Sequence, residues 1–163
     1  MRIIYMHHAE RAIGPNHFDP ILRQEEDITE RGIKEVRVIA EQMQERTKNN
    51  ILHIKAIVSS PYKRCMHTAS IINEYLNVPF IEDPRFNEAD SKEDMNIGTL
   101  WQRTIDGIQD IVDKYEDNDD ILVVTSGVNL TGFICYFYNI DPKSNPPIAQ
   151  GATCSPVNFI INK

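Results

Sequence analysis

The sequence predicts an α/β fold, a three-layer α/β/α sandwich around a mostly parallel central sheet. Short apolar runs at residues 3–6, 54–59 and 121–126 have the length and composition of strands buried in a parallel sheet. Longer segments with apolar residues at helical spacing separate these runs. Strands that alternate with helices indicate parallel strands joined by crossover helices, which cover both faces of the sheet.

The first half of the chain alternates strand and helix twice. A polar loop follows the strand at residues 3–6, and Thr29 then has the position of a helix N-cap. Residues 30–45 are predicted to form an amphipathic helix. Its apolar side chains at helical spacing are Ile33, Val36, Ile39, Ala40 and Met43. Residues 54–59 are the second strand, and a second helix over residues 61–76 opens with a proline.

The second half continues the alternation. Residues 78–81 are predicted as a short strand, and the acidic stretch over residues 83–97 as a surface loop. The clearest buried strand in the chain is the apolar run at residues 121–126. The other predicted elements are a helix from about residue 98 to residue 115, a helix over residues 130–138 and a last strand at residues 157–161.

Composition limits the classes of function. The chain has 163 residues, 41% of them hydrophobic and 25% charged, as expected of a single globular domain over residues 1–163. Its net charge of −7 and the absence of a basic cluster argue against nucleic-acid binding. Three cysteines without a CxxC pair favour a reducing compartment. Because no apolar stretch reaches membrane-spanning length and the N-terminal run is too short for a signal peptide, we expect a cytoplasmic protein.

Four polar features come directly after predicted strands. They are the histidine pair at residues 7–8, the turn at residues 59–64, Asn87 with Glu88, and residues 125–127. The carboxyl ends of parallel strands meet at one edge of the sheet, where open α/β folds bind their ligands. An arginine at a helix start suits phosphate, because it offers bidentate donors beside the positive end of the helix dipole. Histidine can act there as nucleophile or as general acid and base.

Five motifs stand in a specific order. Residues 7–10 are His-His-Ala-Glu, residues 28–32 are Ile-Thr-Glu-Arg-Gly, and residues 60–69 contain Ser-Pro-x-x-Arg followed by Thr-Ala. Glu88 and the Val-Val-Thr-Ser-Gly of residues 123–127 come later. Over nearly the whole chain this set resembles the histidine phosphatase superfamily, which has the phosphoglycerate mutase-like fold. That family begins with Arg-His-Gly-Glu or Arg-His-Ala-Glu, and its last apolar strand ends in His-Gly.

The resemblance implies a role for three residues. His8 would be the nucleophile that becomes phosphorylated, and Arg64 would bind the phosphoryl oxygens. Glu88 would be the acid that protonates the leaving oxygen. The substrate would be a phosphorylated small molecule or a phosphoprotein, and no cofactor or metal is expected. Adjacent histidines on a strand diverge, and no spaced set of ligands completes a metal geometry.

Two of the four core positions depart from the family pattern. His7 replaces the first arginine, and Ser126 replaces the second histidine. Protonated His7, the Ser126 hydroxyl and the Gly127 amide are the candidate phosphate donors in their place. Arg11 is a further cation, but the sequence does not fix its position. Losing one preorganised donor typically slows such a reaction by roughly 100- to 1,000-fold.

Alternatives remain for several of these residues. If the first strand stays regular, His7 points away from His8 and has a surface or packing role. Glu88 lies in an acidic region, which is usually a solvated surface. A serine-hydrolase role for Ser126 fails, because the Gly-x-Ser-x-Gly motif is absent and no histidine follows it.

Three hypotheses for the function follow. The first is a weak or specialised phosphatase that acts through a phosphohistidine at His8. The second is a pseudophosphatase, which keeps the fold and binds a phosphorylated ligand or partner without turnover. The third is an interaction module whose pocket holds no ligand. The sequence indicates neither the particular substrate nor the oligomeric state.

Overall fold

The computed structural model describes residues 1–15, 18–19, 21–88 and 96–161, and in it five strands lie between two layers of helices. The strands are β1 (Arg2–His7), β2 (Ile54–Ser59), β3 (Phe80–Glu82), β4 (Asp120–Thr125) and β5 (Pro156–Ile160). The helices are α1 (Glu30–Lys48), α2 (Lys63–Leu76), α3 (Ile97–Lys114) and α4 (Leu130–Tyr138). Among the described residues, no helix combines the length and apolarity that a membrane span requires.

The sheet has the strand order β3-β2-β4-β1-β5. All neighbouring strands are parallel except β5, which runs antiparallel to β1 at the edge. Every residue of the central strand β4 is buried, as its continuous apolar sequence predicts. The predicted α/β class with a mostly parallel sheet is therefore confirmed.

Alternation along β1 separates the two faces of the sheet. Ile4 and Met6 pack in a core with residues of α1 and α2, whereas Ile3 and Tyr5 pack in a second core with residues of α3 and α4. Side chains of a strand point alternately to opposite faces, so one strand contributes to both cores. The carboxyl ends of β1, β2 and β4 are left at one edge of the sheet, since these three strands are parallel.

The third strand begins two residues later than predicted. Asn77 ends α2 in the left-handed conformation, with φ of 50°. The side-chain amide of Asn73 then bonds both backbone polar groups of Val78, at 2.9 and 3.1 Å. This turn keeps Val78 out of the sheet, and pairing with β2 begins at Phe80. The predicted acidic loop lies partly outside the described residues, which omit residues 89–95.

A small apolar cluster lies at the start of α3. Trp101, the only tryptophan in the sequence, is fully buried there beside Leu100. Ile97 and Val128 pack against the pair. Val128 belongs to the turn that follows β4, so this cluster connects α3 with the carboxyl edge of the sheet.

Candidate active site

His8 lies immediately after the end of β1 and is 4% exposed. Its backbone N–H donates to the carbonyl of Thr125, the last residue of β4, at 2.9 Å. Its Nδ1 is 2.7 Å from the carbonyl oxygen of Ala9. A carbonyl can only accept a hydrogen bond, so Nδ1 carries the proton of the neutral imidazole and Nε2 carries the lone pair.

Arg64 lies in the first turn of α2, and its side chain is completely buried. Its Nε donates to Nε2 of His8 at 3.0 Å, and its Nη1 donates to the carbonyl of Arg23 at 2.9 Å. Its Nη2 forms an ion pair with the carboxylate of Glu88. The guanidinium therefore joins the predicted nucleophile to the predicted acid, although the three residues are far apart in the sequence.

Glu88 lies on a segment that hydrogen bonds hold against the sheet edge. The hydroxyl of Ser60, just after β2, donates to the side-chain oxygen of Asn87 at 2.6 Å. The hydroxyl of Thr125 donates to the carbonyl of Phe86. The carboxylate of Glu88 is thereby directed to the buried guanidinium of Arg64, with 24% of the Glu88 side chain exposed. Glu88 is therefore paired with a buried cation, unlike a freely solvated residue of an acidic surface.

Burial decides the protonation of His8. It lowers the pKa of His8 to about 2, and the neighbouring His7 lowers this pKa further. The hydrogen bond with the Ala9 carbonyl raises it, and the charges of Arg64 and Arg11 have smaller lowering effects. His8 is therefore neutral throughout the physiological range of pH. A neutral imidazole with a lone pair on Nε2 is the form that can attack an electrophile.

His7 does not turn away from its neighbour, in contrast to the expectation for a regular strand. The ring centroids of His7 and His8 are 4.3 Å apart. The reason is that β1 ends at His7, so the alternation of the strand does not extend to His8. Nδ1 of His7 is 2.7 Å from the carbonyl of Gly151, and a side chain at Gly127 would come within 3.0 Å of the imidazole ring.

The neutral form of His7 has an acceptor at Nε2. Because Nδ1 donates to the Gly151 carbonyl, Nε2 bears a proton only when the ring is charged. Burial lowers the pKa of His7 below 6.5, partly offset by that hydrogen bond and by the charge of Glu88, and Arg64 and Arg11 lower it further. At neutral pH His7 cannot donate Nε2–H to a phosphate oxygen.

Ser126 is not among the residues that line the cleft beside His7 and His8, whereas its neighbour Gly127 is. Ser126 is 2% exposed, and its Oγ has no hydrogen-bond partner of ordinary geometry. The buried thiol of Cys65 interacts with the Ser126 hydroxyl. This expected phosphate donor is therefore buried beside Cys65, outside the lining of the cleft.

The cleft beside His7 and His8 has a volume of about 400 Å³. Sequence analysis missed part of its lining, namely Gln150 and Thr153 in the segment before β5. No periodicity or motif marks that segment. Glu10 also lines the cleft, and its carboxylate accepts a hydrogen bond from Thr29, the N-cap of α1, at 2.8 Å. Among the described residues, no group of three or more His, Cys, Asp or Glu side chains is placed to hold a metal ion.

Two comparisons concern the sequence of the chain. The model of the histidine phosphatase superfamily, branch 1, matches residues 21–95. An uncharacterised phosphatase of Bacillus subtilis, PhoE, is 39% identical over 126 residues, which are 66% of this chain and 65% of PhoE. Residues 21–95 thus match the histidine phosphatase superfamily, and the likeness to PhoE agrees with that match. The match spans 65% of the length of PhoE.

Two solved phosphatase structures share the fold of this chain. A mycobacterial glucosyl-3-phosphoglycerate phosphatase superposes with a TM-score of 0.72 and 12% identity, over 96% of this chain and 88% of that one. The phosphoserine phosphatase of Entamoeba histolytica, in complex with 3-phosphoglyceric acid, superposes with a TM-score of 0.68 and 16% identity. This match covers 98% of this chain and 90% of that one. At such low identity the likeness concerns the fold alone. The chain therefore has the same fold as these two phosphatases.

Proposed function

We propose that this protein is a weak or specialised phosphatase that acts through a phosphohistidine at His8. Nε2 of His8 attacks the phosphorus of a phosphomonoester, and the bond from phosphorus to the ester oxygen breaks. Glu88 donates a proton to that leaving oxygen, which departs as an alcohol. A water molecule then attacks the phosphohistidine and gives a proton to the Glu88 carboxylate. The bond from phosphorus to Nε2 breaks, which releases phosphate and restores both neutral His8 and the acid form of Glu88. The buried contact between Nε2 of His8 and Nε of Arg64 carries this proposal.

Arg64 is suited to bind the phosphoryl group beside this nucleophile. Its guanidinium already lies 3.0 Å from the attacking nitrogen, so a phosphoryl group bound to it is held at bonding range of His8. Guanidinium and phosphate form paired, charge-assisted hydrogen bonds. On binding, phosphoryl oxygens replace His8 and Glu88 as partners of Arg64, which frees the lone pair of His8 for attack. The released Glu88 carboxylate takes up a proton from solvent, so Glu88 enters the first step as the acid.

A phosphorylated small molecule or a phosphoprotein is the proposed substrate. The cleft of about 400 Å³ accommodates a compact phosphorylated group. The Entamoeba phosphatase of the same fold is described with 3-phosphoglyceric acid bound, and PhoE is described as a phosphatase. We also propose a single domain over residues 1–163 in a reducing, cytoplasmic setting, because one sheet carries both helical layers and all three cysteines are free and buried.

A second candidate is a pseudophosphatase that binds a phosphorylated ligand without turnover. The orientation of two side chains favours it. The Ser126 hydroxyl is buried outside the cleft lining, and neutral His7 offers no proton from Nε2 to a phosphate oxygen. Each missing donor typically slows the reaction by roughly 100- to 1,000-fold, although two such losses need not combine in full.

Hydrolysis of an aryl phosphate between pH 5 and pH 7.5 tests the proposal. We expect turnover that disappears in His8→Ala and persists in His53→Ala, which removes an exposed histidine. Rapid quenching should trap an acid-labile phosphoryl group on the wild type only. Absent turnover together with saturable vanadate binding that Arg64→Ala abolishes would favour the pseudophosphatase. Absence of both turnover and binding would contradict both candidates.

A further inference from the structure

A groove continues from the cleft along α1. Thr153 lines both the cleft and a second cavity of about 490 Å³, so the two adjoin at this residue. Ile39 in turn lines both this second cavity and a smaller one beside β5. Val38 also belongs to the lining of the first of these cavities, and Pro156 and Asn158 to that of the smaller one. We call the two cavities together the α1–β5 groove.

The α1–β5 groove is long enough for several residues of an extended chain. Arg31 lines it at the start of α1, and Arg46 lines it near the end of that helix. Between them the helix rises about 22 Å, at 1.5 Å per residue. A strand advances about 3.3 Å per residue, so about six or seven residues fit along the groove. A small phosphorylated molecule would occupy only the cleft.

The outer edge of β5 is open. β5 is the last strand of the sheet, and no other described strand pairs with that edge. The amino group of Met1 donates to the carbonyl of Ile161 at 3.2 Å, and the N–H of Ile161 donates back to Met1 at 2.9 Å. Such mutual pairs alternate along an antiparallel ladder. Asn158 and Ile160 lie between them, and therefore direct their backbone N–H and C=O groups outward.

We propose that the substrate is a phosphoprotein, which binds through an extended segment that continues from the phosphorylated residue in the cleft into the α1–β5 groove. This inference rests on the proposed function, since the phosphoryl group of that residue occupies the cleft. Unpaired N–H and C=O groups at a strand edge are satisfied by a further strand. A protein segment supplies such a strand, whereas a small phosphate ester does not.

Exposed apolar side chains indicate which segment fits. Val38 is 53% exposed within the groove, and Ile160 on β5 is 68% exposed. Ile160 lies two residues from Asn158, so the two side chains share a face of the sheet. Covering apolar surface of this kind is favourable. The segment that binds best should therefore carry apolar side chains at alternate positions, all directed into the groove.

Calorimetric binding of a synthetic peptide at pH 7.5 tests this inference. The peptide carries a non-hydrolysable phosphonate analogue of phosphoserine at its centre, and about six alternating valine and threonine residues on each side, so that either chain direction is tested. We expect it to bind roughly 10- to 100-fold more tightly than the phosphonate amino acid alone. Val38→Asp should remove most of this gain. Ile51→Asp, the matched control, changes an exposed apolar residue outside the groove lining and should alter the affinity less than twofold.

Two methylated peptides test the strand edge. Each has the same side chains, but one is methylated on the backbone nitrogens of its odd positions and the other on those of its even positions. Only alternate residues of an added strand direct their N–H groups toward the edge of the sheet. We therefore expect one methylated peptide to lose the gain in affinity and the other to keep it. Equal affinities of the two would refute the strand pairing.

The outcomes separate this inference from the proposed function. If an aryl phosphate is hydrolysed and the peptide binds no more tightly than the phosphonate amino acid, the inference is refuted and the proposed function stands. If the peptide binds as expected and no phosphate ester is hydrolysed, the phosphatase is refuted and the groove serves the pseudophosphatase. Absence of both hydrolysis and binding refutes both.

Two further outcomes are decisive. A dimer in gel filtration that persists at saturating peptide, without peptide binding, would assign the open edge of β5 to a second copy of the chain and overturn the inference. Should Val38→Asp fail to fold, as judged by circular dichroism, the methylated peptides decide the matter, because they leave the protein unchanged.

Discussion

The neutral state of buried His8 should make the protein sensitive to mild acid. The pKa of His8 is about 2 in the folded chain and 6.5 in an unfolded one. Between these pH values the unfolded state binds a proton that the folded state does not. The free energy of unfolding is therefore highest above pH 6.5 and decreases as the pH falls below that value. From pH 7 to pH 5 this one group should lower the free energy of unfolding by about 2 kcal/mol.

Urea denaturation at both pH values measures this loss, with His8→Gln as the comparison. The glutamine amide can still accept a hydrogen bond from Arg64, but it has no proton to titrate. We therefore expect the wild type to lose about 2 kcal/mol more than the variant between pH 7 and pH 5. Equal losses in the two proteins would show that His8 is not held neutral, and would remove the physical basis for its action as a nucleophile.

Three further predictions concern the surroundings of the site. Gly32→Ala would place a Cβ 2.9 Å from the backbone oxygen of Glu10, so it should lower the free energy of unfolding by roughly 1–3 kcal/mol, measured in urea. Because burial lowers the pKa of His7, its ring gains a proton only at acid pH, and the affinity for sulfate should rise there. His7→Asn should abolish this rise in calorimetry, and a rise that persists in the variant would exclude His7 as its source. Burial raises the pKa of Cys65 to about 12, so Cys65 should react with an aromatic disulfide reagent only after unfolding, and prompt labelling of the native protein at Cys65, identified by peptide mapping, would contradict its burial.

Most of the fold could be predicted because strand and helix leave different periodicities in the sequence. β4 is an uninterrupted apolar run, and α1 carries its apolar residues at helical spacing after an N-cap threonine. The boundaries of β3 could not be predicted in the same way. They depend on the left-handed conformation of Asn77 and on the side-chain hydrogen bonds of Asn73, which apolar patterns do not reveal.

Part of the candidate site follows from topology once the strands are known. His8 and Arg64 each come directly after a strand of a parallel sheet, so their approach requires only that the strands be neighbours of β4. The contacts of His7 could not be predicted from the sheet topology. They depend on Gly151, whose segment packs so closely on Tyr5 that a Cβ would come within 2.8 Å of the Tyr5 ring. The path of an irregular segment is determined by tertiary packing.

Regular strands position some residues of the site, and irregular segments position others. Regular strands position the predicted nucleophile and the buried arginine, whereas a single bridge to Ile28 and an irregular segment position Arg11 and Gly151. The phosphate-binding roles of His7, Ser126 and Gly127 stay predictions. Of these, His7 and Gly127 line the cleft, whereas Ser126 is buried outside its lining.

The buried cluster around Trp101 provides an intrinsic optical reporter. One indole without solvent exposure gives a single, blue-shifted fluorescence signal, and unfolding would move that emission to longer wavelength. Val128 packs against this cluster and also lines the cleft, so its side chain lies between a ligand bound in the cleft and the indole. With excitation selective for tryptophan, ligand titrations and unfolding curves can thus be followed in the unlabelled protein through one indole at a known position.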